Sequence, residues 1–148
     1  MTALVASVVT VRLSILQFRT ERWWERKAEA YARIITALFH LRHYNAGVIR
    51  DAEEHGDGKS PELDRRGARS AEAERKIEEA TAIGSFIISE DVSNALHELR
   101  RDRDRVWSRL GLDATWPEYI QCLVEENATL DKALAAVPQR ARKDLAVR

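Results

Sequence analysis

Apolar residues recur along this chain in steps of three and four, the spacing that lines them up on one face of an α-helix. The first such run predicts a helix from near residue 3 to near residue 54, with no proline and with Gly47 as its only glycine. Its second half carries the stripe Trp24, Ala28, Tyr31, Ile34, Ile35, Leu38, Leu41 and Val48. At 1.5 Å per residue this helix reaches about 75 Å, too long for a small bundle to cover throughout. The polar loop His55-Gly56-Asp57-Gly58-Lys59 ends it. Ser60-Pro61-Glu62 then reads as an N-cap, a proline at the first helical position and an acid in the first turn. A second helix over about 61–88 follows, with a thinner stripe of Leu63, Gly67, Ala71, Ile77, Ala80, Ala82, Ile83, Gly84 and Ile87. Small residues in that stripe let a neighbouring helix approach closely.

Ser89-Glu90-Asp91 is a second N-cap signal. The third helix, about 90–110, has a heptad-like seam of Val92, Leu96, Leu99, Arg103, Val106 and Leu110. Arg103 interrupts it, and the expectation is that its long stem snorkels the charge outward. Gly111 fits a C′ glycine. The fourth helix spans about 115–137 with the seam Trp116, Ile120, Leu123, Asn127, Leu130, Leu134 and Val137. Pro138 is expected to bend or end it, and 139–146 to form a further short turn. Four helices with short connections predict an all-α, up-down four-helix bundle over residues 19–148, whose first helix begins there and runs to about 54. The apolar N-terminal half of the long first helix is expected to extend beyond the bundle.

Composition sharpens that extension. The chain has 148 residues, 24 Lys+Arg and 24 Asp+Glu, so its formal net charge is zero. Neutrality argues against a dedicated nucleic-acid binder, whose affinity comes largely from neutralised phosphates. A hydrophobic content of 45% argues against disorder, and one cysteine excludes an intrachain disulfide. Residues 1–18, however, carry a single charge, Arg12, among Val, Leu, Ile and Ala. This segment is about 27 Å of helix, slightly short of a ~30 Å hydrocarbon core. Arg19, Arg22, Arg26 and Lys27 follow it, with Trp23 and Trp24 among them. Indoles favour the membrane interface and Lys/Arg the cytoplasmic flank. A lone span is marginal, because Arg12 near its middle costs about 3 kcal/mol, roughly what the apolar residues supply. Residues 1–18 therefore either sit in lipid, where an oligomer shields Arg12, or pack against another protein chain or the bundle. Trp23 and Trp24 stand about 100° apart on a helix. Trp24 continues the core stripe, while Trp23 faces headgroups or a partner, unless both anchor the bundle end.

The phrase Phe18-Arg19-Thr20-Glu21-Arg22-Trp23-Trp24-Glu25-Arg26-Lys27-Ala28-Glu29-Ala30-Tyr31 resembles one carried by a group of uncharacterised bacterial helical proteins, just after an N-terminal hydrophobic segment. The ending Ala141-Arg142-Lys143-Asp144-Leu145 is similar to theirs. The resemblance implies a small membrane-anchored protein with a cytoplasmic helical domain, and implies no activity.

Motifs that carry chemistry are sparse. Gly58-Lys59-Ser60 has Glu53 where a P-loop needs its first glycine, and no strand precedes it. His40 and His43 are neighbours on one helix face and could bind a metal with a carboxylate from another helix. No Glu-x-x-His pair accompanies them, so the di-iron pattern is missing. His97 and Asn127 read as polar residues near seams that set helix register. Cys122 reads as a buried, inert thiol, and the pairs Glu53-Glu54 and Glu125-Glu126 as solvated.

The expectation is thus a membrane-associated helical interaction or scaffold protein, self-associating or binding another protein. It sits in the bacterial inner membrane with its bundle in the cytoplasm, or alternatively is cytoplasmic. Its interface residues are Arg12, Phe18, Arg19, Arg22, Trp23, Trp24, Arg26 and Lys27. No catalytic residue, cofactor, metal, nucleic acid or small-molecule substrate is expected. One alternative is an oligomeric pore with Arg12 facing an anion-selective lumen. Another is a metal-binding or enzymatic bundle using His40 and His43.

Overall fold

A computed structural model describes the backbone of residues 2–56 and 61–146, and the side chains of 21–54, 67–82 and 86–146. Four helices follow in order: α1 (Thr2–His55), α2 (Pro61–Ile87), α3 (Glu90–Trp107) and α4 (Trp116–Ala146). They form an all-α four-helix bundle. α1 packs on α2 and α4, and α3 packs on α4 and α2, so each helix touches the two beside it and none touches the one across. Side-chain bonds fix the directions. Tyr31 bonds Asp144, Arg42 bonds Asp131 and Asn45 bonds Glu126, so α4 ascends as α1 descends. Arg103 bonds both Glu74 and Glu126, and Arg140 donates to the Asp91 carbonyl, giving antiparallel α2/α3 and α3/α4 pairs.

The core is the set of heptad seams meeting on the bundle axis. Tyr31, Ile34, Leu38 and Leu41 of α1, Val92, Leu96 and Leu99 of α3, and Leu130 and Val137 of α4 all belong to this one buried cluster. Each fully buried large apolar side chain is worth about 1.5–3 kcal/mol relative to exposure. The α1 seam differs from the sequence expectation at one point: Ala28 is exposed, and the buried steps run through Tyr31, Ile34, Leu38, Leu41, Asn45 and Val48. Alternating steps of three and four through a polar residue hold the face better than the apolar Ala28 does.

The α2 face is shifted. Ala71 and Ala82 are exposed, and Ser70, Ala73, Ile77 and Thr81 are buried. Alanines occur on several sides of α2, so they define no face. Ile77 is its large buried anchor among the described residues, and the small residues in register with it follow it inward. Thr81 satisfies its hydroxyl on the Ile77 carbonyl one turn back, at 2.7 Å.

Helix ends follow expectation only in part. Gly56, at φ 77°, is the residue that caps α1, its N–H returning to the Ala52 carbonyl at 3.0 Å. Gly111 has no positive φ. α3 stops at Trp107 instead of 110, with Ser108 as its C-cap, and Leu112 in the following connection is fully exposed. Ser89 caps α3 as expected, accepting from the Val92 N–H at 3.4 Å. α4 neither ends nor splits at Pro138 but continues to Ala146. The missing N–H removes one ladder bond, yet Val137 and Ala141 on either side are buried in the core and hold the helix there. Pro138→Ala is therefore expected to raise stability by about 1–3 kcal/mol, read as a higher urea midpoint with unchanged slope.

Candidate functional site

Two clusters of polar side chains stand out, and both include residues of α1. The first joins α1 to the end of α4. The Lys27 ammonium lies 2.6 Å from the Asp144 carboxylate on α4 and 5.5 Å from the centre of the Trp24 ring. The Tyr31 hydroxyl donates to the same Asp144 carboxylate and accepts the Ser89 N–H at 2.8 Å. One lysine, one tyrosine and one aspartate thus join α1, the α2–α3 corner and the end of α4. α4 finishes at Ala146, within a turn of this contact, while α1 continues as helix back to Thr2. Arg22, Trp23 and Arg26 lie beyond the contact on the continuing helix. All three are exposed, and Trp23 keeps 47% of its surface accessible. Trp24 is half-buried. The two indoles have separate environments, as their 100° separation predicts, and Trp23 is not a core anchor.

Burial raises the Tyr31 phenol above its ordinary value, and the Asp144 carboxylate adds to the rise. Burial also pushes the Asp144 carboxyl upward, but the hydrogen bonds from Lys27 and Tyr31 outweigh it, and the net effect is a lowered value. The sign follows by linkage. A carboxyl held below its unfolded value of about 3.9 stabilises the fold above that pH, and the contribution is lost as pH falls through the folded value. Wild type is accordingly expected to be more stable than Asp144→Asn at pH 7. The two unfolding curves should converge on acidification below about pH 4; a gap that persists in acid would remove the electrostatic account.

The second cluster is a buried polar layer. Glu126 is 2% exposed, not solvated as its place in a Glu-Glu pair suggests. Its carboxylate accepts from Asn45 Nδ2 at 2.9 Å and from the Arg103 guanidinium. Arg103 also donates to Glu74 at 2.6 Å. Arg103 thus turns inward instead of snorkelling out, with only 17% of its side chain exposed. Burial opposes its charge, and the carboxylates of Glu126 and Glu74 more than compensate, so its pKa rises. The layer draws one residue from each helix. Asn127, expected near the seam, is only half-buried and His97 is exposed, whereas Asn45 is fully buried in the layer. Asn45 and Glu126 were legible as seam positions, seven residues after Leu38 and three after Leu123. Their polarity concealed them.

His40 and His43 are exposed on α1, and His43 stacks on exposed Phe39 at 6.2 Å. Among the described residues no group of three or more His, Cys, Asp or Glu stands together to hold a metal. Cys122 is buried, its sulfur 3.8 Å from the Val106 carbonyl. Arg12, Phe18 and Arg19 lie outside the residues whose side chains are described. Among the described residues no helix is long and apolar enough to cross a membrane; the expectation of a span rests on residues 1–18, outside that set. No family model, curated protein or solved structure matches the chain.

Proposed function

We propose that this protein is a membrane-associated helical scaffold, held in a bacterial inner membrane by the apolar start of α1, with its bundle on the cytoplasmic side and a tendency to self-associate. The observation that carries the reading is the exposed Trp23 between exposed Arg22 and Arg26, where α1 continues past the bundle. An indole flanked by guanidiniums suits the headgroup zone, with cationic residues on the cytoplasmic flank. Lys27, Tyr31 and Asp144 make the junction stiff, so that a load on the apolar segment reaches α1, α4 and the α2–α3 corner together. The buried Arg103 layer fits a scaffold that must keep one helix register while its partners exchange.

Fractionation of the full-length chain beside a chain starting at Arg19 tests this. The full-length chain is expected with the membranes and the shorter one in the soluble fraction, both with the same helical content by circular dichroism. Mass measurement of each is expected to show a larger assembly only when residues 1–18 are present. A full-length chain recovered without detergent as a soluble monomer would sink the proposal.

A further inference from the structure

Along α3 every exposed residue is polar. The outside of the α1–α4 pair is different. There Ala28, Ala32, Ile35, Phe39, Arg42 and Ala46 follow one another on α1 in steps of four and three, and none is buried. On α4 the same steps run Val124, Ala128, Asp131, Ala135, Pro138 and Arg142, again with none buried. Such steps line residues up on one face of a helix, so each helix carries a second stripe beside the one that enters the core. Arg42 and Asp131 belong to these stripes and meet at 2.8 Å, with 43% and 54% of their side chains exposed. Their contact puts both stripes on the same outer side of the bundle. Apart from Arg42, Asp131 and Arg142 the stripes are apolar. Phe39 keeps 56% of its surface accessible and Val124 44%, and His40 and His43 flank the Phe39 ring.

We propose that this face seats a second copy of the chain, side by side and in the same orientation, with α1 of each copy on α4 of the other. The orientation rests on the membrane reading above. Two copies anchored through residues 1–18 in one bilayer point the same way, and a two-fold axis parallel to the helices then sets α1 against α4. Charge supplies the complement. Glu25 lies two residues before Lys27, and Arg142 two residues before Asp144, the pair that joins α1 to α4 at 2.6 Å. Glu25 and Arg142 therefore stand about 6 Å apart along the bundle axis, within reach of their long side chains. Each continues its own stripe, and neither has an ion-pair partner among the described residues. The two-fold brings Glu25 of each copy to Arg142 of the other and makes the pair twice. The face is modest in size. From Ala28 to Ala46 it runs about 27 Å and is about 20 Å wide, so two copies bury about 1,100 Å² in total, the weak end of specific contacts. A contact of that size fits an assembly expected only when residues 1–18 concentrate the copies in one membrane.

Disulfide trapping in membranes tests this. Two full-length chains carry Cys122→Ala, one with Phe39→Cys and the other with Ala135→Cys, and one of them is lengthened by an affinity tag. Both new thiols stand at exposed positions, so neither change reaches the core. The Arg42–Asp131 contact sets position 39 level with 134, beside Ala135 on the facing helix of the second copy. Membranes holding both chains are oxidised with copper phenanthroline. The mixed dimer is expected, with little dimer from either chain alone, because the two-fold keeps like positions on opposite corners of the interface. Glu25→Arg in both chains is expected to cut the mixed product about fivefold, and adding Arg142→Glu to both should restore it. Dimer from the Phe39→Cys chain alone, as two antiparallel α1 helices would give, overturns the inference. So does a mixed yield that Glu25→Arg leaves unchanged. Yields are taken from the membrane fraction, so absence of product there overturns the inference and leaves the membrane reading standing. A chain missing from that fraction overturns the membrane reading, and the proposed orientation with it.

Discussion

Glu126→Ala is expected to lower the unfolding free energy by about 3–5 kcal/mol, the largest effect of any single substitution considered. The carboxylate is almost wholly enclosed and holds both Arg103 and Asn45. Removing it leaves a buried guanidinium with Glu74 as its remaining carboxylate and an amide without its acceptor. A chain of this size typically has 5–15 kcal/mol in total, so the variant approaches the unfolding limit. The melting temperature should fall by about 10–20 °C. The double variant Glu126→Leu, Arg103→Met should recover most of the loss, because well-packed apolar residues commonly replace a buried ion pair at little cost. Urea unfolding of the three chains measures both effects. A single variant within 1 kcal/mol of wild type would show that the layer carries little of the fold.

Leu96→Ala is the second large effect, with an expected loss of about 2–5 kcal/mol. Leu96 is fully buried on the inner face of α3, within the core cluster that includes Leu38 and Leu130. α3 is the shortest helix, at 18 residues, and its attachment depends on few large side chains. Truncation removes the transfer energy of the side chain and leaves a cavity that three other helices can fill only in part. Leu112→Ala deletes the same atoms from the exposed α3–α4 connection and is expected to change stability by less than about 0.5 kcal/mol. Thermal unfolding of the pair separates burial from residue type; similar losses in both would contradict the assignment of the core.

The two polar clusters serve different ends in the proposed scaffold. The Lys27–Asp144–Tyr31 junction ties α1 to the end of α4 and, through Ser89, to the α2–α3 corner. The Arg103 layer fixes how the helices align with one another. An apolar core tolerates sliding by one heptad, since leucines resemble one another, whereas a bridged Asn45, Glu126, Arg103 and Glu74 meet in one register only.

Much of the architecture was legible because it is local. Helix periodicity, the Ser89 cap and the turn at Gly56 depend on residues a few positions apart. So do the ion pairs Glu29–Arg33, Glu72–Lys76 and Arg75–Glu79, whose partners stand four residues apart on one helix. The long first helix and the antiparallel order follow from the same kind of information.

What the sequence by itself determined, then, is four helices, their order, and a first helix much longer than the other three. Tertiary structure alone decided which polar residues go inside. Arg103 occupies a seam position whether it points in or out, and its direction depends on Glu126 and Glu74, which are 23 and 29 residues away. Asp144 acquires its role from Lys27 and Tyr31 at the other end of the chain. The inward face of α2, with Ser70, Ala73, Ile77 and Thr81 buried, is likewise invisible in an alanine-rich pattern. Burial of a charge is favourable only when a partner meets it, and long-range packing, not spacing along the chain, supplies the partner.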